Sequence, residues 1–309
     1  LSGFRHHWCC FDPSLLARNA LEKSHRQTRP VLQPVNTASI TLSSIGLIVM
    51  KTALILASAL LAGLSCHAAS IEPYVRHQDA TDGYSSAVAA GARIEIPAVG
   101  PLDDLLVGLE SRHWKNVGPD PTGVSVYVAG YYGIGPSWWG ASQVQLGSSA
   151  LYPRSTVYQE FNYRAGSQGN LALGAGLGHQ DFRGSGGVGY VTLGPVFYFP
   201  RGHVGYKYTD YAAAGNRLHV LTGETEVTPS LSLNAAWRSG TGAWAVTPTT
   251  GLVTQADVSS REWELGLRYR LNRNFEWITK LGAAQVDERL TGHRMYRTRD
   301  LTLGFKASW

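Results

Sequence analysis

His179 is followed by Gln180 and Asp181, and Ser185 stands a few residues further on. A histidine beside a carboxylate and near a serine is hydrolase material, provided that base and nucleophile come within hydrogen-bond reach. No serine is placed beside His179 in its own segment, and a histidine at a strand end is more commonly interfacial, so catalysis is not expected. His77, His113, His203, His219 and His293 are scattered with no two at metal-ligand spacing, so neither a metal nor another cofactor is expected. The glycine-rich run Gly184 to Gly189 lies between two strand-like segments and opens no helix. That excludes a phosphate-binding loop and leaves a hairpin turn.

A larger set of residues carries charge at alternate positions. Glu262, Glu264, Arg268 and Arg270 fall on one face of a strand, and Trp263, Leu265, Leu267 and Tyr269 on the other. The reason is that successive side chains of a strand point to opposite faces. Glu110 and Arg112 oppose Leu105, Val107 and Leu109 in the same way, and Lys207, Arg238 and Lys306 take the charged face of their own segments. Glu72, Arg76, Arg93, Glu95, Glu160, Arg164, Glu276 and Lys280 extend the set. Enclosed charges need partners or water. Two readings stay open: a salt-bridge lattice that stiffens a barrel, or a hydrated path for small polar solutes or an oligosaccharide.

Both readings need strands to hold these residues, and the end of the chain supplies the clearest one. Leu301, Leu303, Phe305, Ala307 and Trp309 share one face, while Thr302, Gly304, Lys306 and Ser308 share the other. A last strand of this alternation, closed by a terminal aromatic, looks like the end of a bacterial outer-membrane β-barrel. Leu301, Leu303, Phe305 and Trp309 would then form the signal read by the barrel assembly machinery. Lipid takes the apolar face and the lumen tolerates Lys306.

The start of the chain carries a different pattern. Met50 and Lys51 precede an apolar run from Ala53 to Leu64 and the small residues Ala68 and Ala69. This is a secretory signal peptide over 50–68, too short for a spanning helix of roughly 20 residues. Residues 1–49 show no sustained period and read as a lead upstream of the true start. Six of the Lys/Arg residues and two of the acids lie in 1–68, so the formal charge of +5 falls to +1 over the remainder. The basic balance that might suggest nucleic acid therefore belongs mostly to the lead. All three cysteines (Cys9, Cys10 and Cys66) lie there too, which leaves no disulfide framework downstream.

From residue 69 onward, alternating segments of about ten residues recur between turn signals, about fourteen in all. An even count puts both chain ends on the periplasmic side. The connections on that side are tight: Val99 to Pro101, Gly133 to Pro136, Ser167-Gln168, Pro200-Arg201, Thr228-Pro229 and Asn272-Arg273. Those on the other side are longer, the longest running from Thr241 to Asp257. Trp138, Trp139, Phe197, Tyr198, Phe199, Trp237, Trp244 and Trp309 gather near strand ends, where a bilayer interface would hold them.

Two stretches carry a family resemblance. Tyr206-Lys207-Tyr208-Thr209-Asp210-Tyr211 matches a strand end, and Arg238-Ser239-Gly240-Thr241-Gly242-Ala243-Trp244 a second motif, of the YaiO-like outer-membrane β-barrel proteins, which the chain resembles over 70–309. The resemblance implies location and architecture, and an association with surface polysaccharide systems.

The sequence thus predicts an all-β protein, an antiparallel transmembrane β-barrel of the bacterial outer membrane over 69–309, exported by a cleaved signal peptide. The expected function is a non-enzymatic, porin-like narrow channel, or an export or assembly partner for polar solutes or surface polysaccharide. The alternative is a lipid-modifying barrel enzyme. Expected partners are outer-membrane lipid and lipopolysaccharide, the barrel assembly machinery and polysaccharide export components; no nucleic acid is expected.

Overall fold

The computed structural model describes residues 69–309 apart from 82–85, 116–121, 150, 166–169, 183–185, 214 and 243–257. The lead, the signal peptide, Ser185 and Trp244 lie outside the described residues. Fourteen strands follow one another: β1 (Ser70–Ala80), β2 (Ala87–Val99), β3 (Leu102–Trp114), β4 (Thr122–Gly133), β5 (Trp138–Gly147), β6 (Ser155–Ala165) and β7 (Leu171–Phe182). The second half comprises β8 (Gly186–Phe199), β9 (Gly202–Tyr211), β10 (Arg217–Thr228), β11 (Leu231–Thr241), β12 (Val258–Arg270), β13 (Phe275–Glu288) and β14 (Arg294–Ser308).

They form a closed barrel in chain order, and every neighbouring pair is antiparallel. Closure comes from β1 on β14, in register from Ser70 opposite Ser308 to Ala80 opposite Thr298. The backbone N–H of Trp309 donates to the Ala69 carbonyl at 3.0 Å, which extends the seam to the last residue. Of the Gly184–Gly189 stretch, expected as a hairpin turn, Gly186 onward belongs to β8, and Gly184 and Ser185 lie outside the described residues. The β10–β11 turn falls at Pro229–Ser230, one residue later than expected, because the ladder continues through Thr228 opposite Leu231.

The two faces of this barrel are inverted relative to a soluble protein. On β4, Val124, Val126 and Val128 stand outward and exposed, while Ser125 and Tyr127 between them are buried. Leu173 and Leu177 on β7, Leu193 and Phe197 on β8, and Leu265 on β12 are likewise outward. The buried side chains include Arg76, Glu110, Arg112, Glu160, Arg238 and Glu262. Strands of ten to fifteen residues, at ~3.4 Å per residue and a tilt near 40°, rise at least about 25 Å, the height of a bilayer's apolar band.

Aromatics mark the rim of the outer wall where the short turns and termini lie: Tyr269 faces Trp277 there, and Trp138 and Trp309 are exposed at the same end, while Trp237 and Trp263 face each other near the middle of β11 and β12. Trp139 departs from the expected belt. The strand period turns it inward, where the Arg164 guanidinium lies 5.6 Å from its ring centroid. Tyr198 also turns inward, opposite His203, because it alternates with the outward Phe197.

Phe305 and Trp309 present apolar surface on the closing seam. Deleting Trp309, or replacing Phe305 and Trp309 with Ser, is expected to lower the amount of folded barrel in outer membranes severalfold. The measurement is the band that shifts on heating a detergent gel sample, and an undiminished band would remove the assembly role assigned to this strand.

Candidate functional site

The inward face is where charge is concentrated, and two strands with small inward residues decide how it is arranged. On β2, Ala87, Ala89 and Gly91 face inward between the longer residues of β1 and β3. Side chains from both flanks therefore meet above β2. Arg76 on β1 reaches Glu110 on β3 at 3.2 Å, and Tyr74 donates its hydroxyl to the same carboxylate at 2.8 Å. A Cβ at Gly91 would run into the Tyr74 ring, so glycine is what permits the crossing.

Glu110 collects donors from two further residues. Arg112 binds it at 2.9 Å, and Tyr152 donates from the β5–β6 connection at 2.8 Å. That connection folds inward across Gly123 of β4, where any side chain would meet Ser149 and Tyr152. Burial, with the Glu110 carboxylate beside it, pushes the Tyr152 phenol well above the ordinary tyrosine range, so it remains a neutral donor.

The same arrangement recurs on β7, whose inward residues from Ala172 to Gly178 are all small: Ala172, Gly174, Gly176 and Gly178. Glu160 on β6 and Lys207 on β9 meet across this floor and β8, Nζ to Oε2 at 2.6 Å. Tyr158 bonds both Glu160 and Thr192, the latter at 2.7 Å. A Cβ at Gly176 would collide with the Tyr158 hydroxyl and Thr192. Elsewhere Arg238 pairs with Glu262 on the neighbouring strand, Lys280 with Glu264 at 3.2 Å, and Lys306 with Glu95 at 2.8 Å. Arg268 on β12 reaches Glu72 on β1 at 3.5 Å, and Arg93 reaches the same Glu72 at 3.6 Å.

Of the charged residues singled out from the sequence, Glu110, Arg112, Lys207, Arg238, Glu262, Glu264, Arg268 and Lys306 share the inward face and are paired as described. Arg270 shares that register but stands half exposed at the rim, 3.4 Å from Glu276. Leu301, Leu303, Phe305 and Trp309 are exposed on the outside. His179 faces outward on β7 and is exposed, opposite Gly189 and Val157. Tyr74, Tyr152 and Tyr158 join these charges without being among the residues that the charge pattern marks. Tyr74 and Tyr158 alternate in phase with Glu72 and Glu160 and could have been found by that phase; nothing in the sequence marks Tyr152, which lies in a connection.

The two ends of the lumen differ. At the end of the long connections, two apolar clusters lie on the inward face among buried polar side chains such as Gln78, Gln145, Gln180 and Thr298. Tyr158, Phe182, Val188, Tyr190, Tyr211 and Leu218 pack together along β6 to β10. Ala87, Trp114, Val258, Val286 and Tyr296 pack with Leu151 and Tyr152 of the inward-folded connection. At the end where the termini lie, a cavity of about 170 Å³ remains. Its walls include Glu72, Arg93, Tyr127, Glu224, Arg268 and Lys306.

The chain is similar in structure to outer-membrane porins. An anion-selective porin from Comamonas acidovorans is 10% identical, with 79% of this chain and 99% of that one covered at a TM-score of 0.44. The Acinetobacter baumannii outer membrane protein Omp33 is 12% identical, with 78% and 99% covered at a TM-score of 0.45. The KdgM porin is 10% identical, with 78% and 99% covered at 0.42. At that distance these likenesses carry nothing about what this barrel does. No family model and no curated protein matches the chain.

Glu110 is the test of the lattice. Replacing it with Ala leaves Arg76 and Arg112 buried without their carboxylate, a change that typically costs about 3–5 kcal/mol. The exposed pair Arg217–Asp210, at 3.7 Å, serves as the reference; losing it is expected to cost under about 1 kcal/mol. Thermal unfolding in detergent should show a large drop for Glu110→Ala and almost none for Arg217→Ala. Equal drops would mean that the interior pairs are not stabilising the barrel.

Proposed function

We propose that this chain is a non-enzymatic barrel of the bacterial outer membrane that provides a narrow, constricted passage for small polar solutes. The observation behind this reading is the combination of an apolar outer wall with a charged inner wall around a cavity at one end. In this reading the termini and short turns face the periplasm, and the long connections face outward from the cell. Tyr269 and Trp277 then sit at the periplasmic bilayer interface.

The apolar packing around Leu151 and Tyr152 narrows the passage at the outer end. Solutes meet hydrogen-bonding and charged side chains from the periplasmic side up to that constriction. The likeness of 206–211 and 238–244 to the YaiO-like proteins belongs to the same proposal, together with its link to surface polysaccharide. So do contacts with lipopolysaccharide and the barrel assembly machinery. No observation favours the lipid-modifying alternative.

Planar-bilayer recording of the purified protein tests the passage. Wild type is expected to show small or infrequent openings, and replacing Leu151 and Tyr152 together with Ala is expected to raise conductance severalfold. A silent wild type with an equally silent double variant would tell against any passage.

Orientation is tested separately on intact cells. A tag inserted within 243–257 should be reached by antibody, and a tag at Asn272 should not. The opposite pattern would invert the orientation.

A further inference from the structure

One arc of the outer wall carries cations where the rest of that face is apolar. Arg261 on β12 and Arg297 and Arg299 on β14 are exposed, and strand register brings them together. Arg261 stands opposite Gln285 of β13, Gln285 opposite Arg297, and Ala283 opposite Arg299. With strands ~4.8 Å apart and ~3.4 Å per residue, their Cα atoms lie within about 12 Å of one another. On the same face, toward the termini, follow Trp263, Leu265, Leu281, Leu301 and Leu303, all exposed.

Their depth follows from the cost of charge in lipid. An arginine on the lipid face costs about 2–4 kcal/mol at mid-bilayer and about 0–1 kcal/mol near an interface. Tyr269 marks the periplasmic interface, and Arg261 lies eight residues away along β12. At ~3.4 Å per residue and a tilt near 40° that is about 21 Å along the barrel axis, close to the ~25 Å of an apolar band. The arginines therefore stand where the outer-leaflet headgroups begin.

The protein itself does little to neutralise them. Arg217 meets Asp210 and Arg154 meets Asp181, both at 3.7 Å. Among the described residues, neither Arg261 nor Arg299 makes a side-chain hydrogen bond or ion pair, and the Arg297 side chain donates only to the Gln285 amide oxygen, at 3.2 Å. Two described acids share this arc. Asp79 stands across from Arg299 but contacts His77 at 3.1 Å, and Asp287 accepts from the Gln285 amide at 2.9 Å. Arg294, exposed at the first position of β14, adds a fourth cation at the rim.

Resting on the orientation given above, with the long connections outward, we propose that this arc seats the phosphate-bearing headgroup of an outer-leaflet glycolipid, lipopolysaccharide. Its acyl chains lie along Leu281, Leu301 and Leu303. A guanidinium presents a planar fork that matches two phosphate oxygens. Three such forks on long stems, rooted within about 12 Å, hold one phosphate between them or two on a single headgroup.

Native mass spectrometry of the purified protein, stripped of carried-over lipid and held in detergent micelles, tests the seat. The probes are lipid A, dephosphorylated lipid A, phosphatidylglycerol and inorganic pyrophosphate. Lipid A should bind at least tenfold more tightly than its dephosphorylated form or phosphatidylglycerol. Pyrophosphate, which has the charge without the chains, should not displace it at equal concentration. Binding should weaken as salt rises. Replacing Arg261, Arg297 and Arg299 together with Gln should weaken lipid A binding at least tenfold, the effect of losing one or more hydrogen bonds to a charged group. Replacing all three with Lys should lose less. Arg217→Gln, the same charge change at a paired site on the same rim, should lose less than twofold.

Equal binding of dephosphorylated lipid A or of phosphatidylglycerol overturns the proposal, as does a folded triple Gln variant that binds like wild type. Folding is read from the heat-shifted band on a detergent gel. Should that variant fail to fold, the preference of wild type for lipid A over its dephosphorylated form decides alone. Exposure of the Asn272 tag in place of the 243–257 tag would put the arc in the inner leaflet and overturn the proposal. A barrel that conducts nothing would remove the passage and leave the seat standing.

Discussion

Ring closure is the constraint on which everything else in this molecule depends. In hydrocarbon no water is available to satisfy backbone N–H and C=O groups, so a sheet with an open edge is not tolerated there. The pairing of β1 with β14, extended by the Trp309 N–H to the Ala69 carbonyl, removes that edge. Once the sheet is closed, every strand has an inside and an outside. The period of two then sends Leu265 outward and Glu264 inward without further instruction.

Closure also creates a difficulty, because an interior of fixed width must be filled by side chains that carry charge. Small residues on β2 and β7 resolve it locally. Where Gly91 or Gly176 faces inward, the strands on either side can lay long residues across the gap and join them, as Arg76 joins Glu110 and Lys207 joins Glu160. The tyrosines serve the same end. Tyr74, Tyr152 and Tyr158 fill space with their rings and place hydroxyls on carboxylates that would otherwise depend on cations alone. Buried ion pairs are worth keeping only when their remaining lone pairs are satisfied, and Glu110, which accepts from Tyr74 and Tyr152 besides its arginines, meets that condition.

The asymmetry along the barrel axis follows from where the long connections lie. At that end the chain has residues to spare, and the β5–β6 connection turns inward to put Leu151 and Tyr152 among Trp114, Val258 and Tyr296. At the other end the described turns are mostly tight, as at Gly100–Pro101 and Pro229–Ser230. The cavity is what remains there. Its charge is set by side chains on strands rather than loops, which fixes their positions to the precision of the sheet.

How much of this could be read from the sequence divides along the same physical line. The outward and inward faces were legible at Glu262 to Arg270 and at Leu301 to Trp309, because a period of two leaves a strand no freedom: a slip of one residue would reverse every side chain. The strand number was legible because turn chemistry recurs at the length a bilayer requires. Trp139 was misplaced for a related reason. Composition puts a tryptophan at the interface, but phase, relative to the outward Trp138, puts it inside. The sequence by itself therefore determined which face each residue occupies. It did not determine which charges meet. Arg268 and Glu72 are 196 positions apart, and their approach depends on how far each strand is staggered against the next around a closed ring. Whether Arg76 reaches Glu110 depends on what β2 leaves uncovered, and whether Tyr152 reaches it depends on a connection bending inward over Gly123. Stagger, clearance and bending are properties of the closed sheet, and only the tertiary structure decided them.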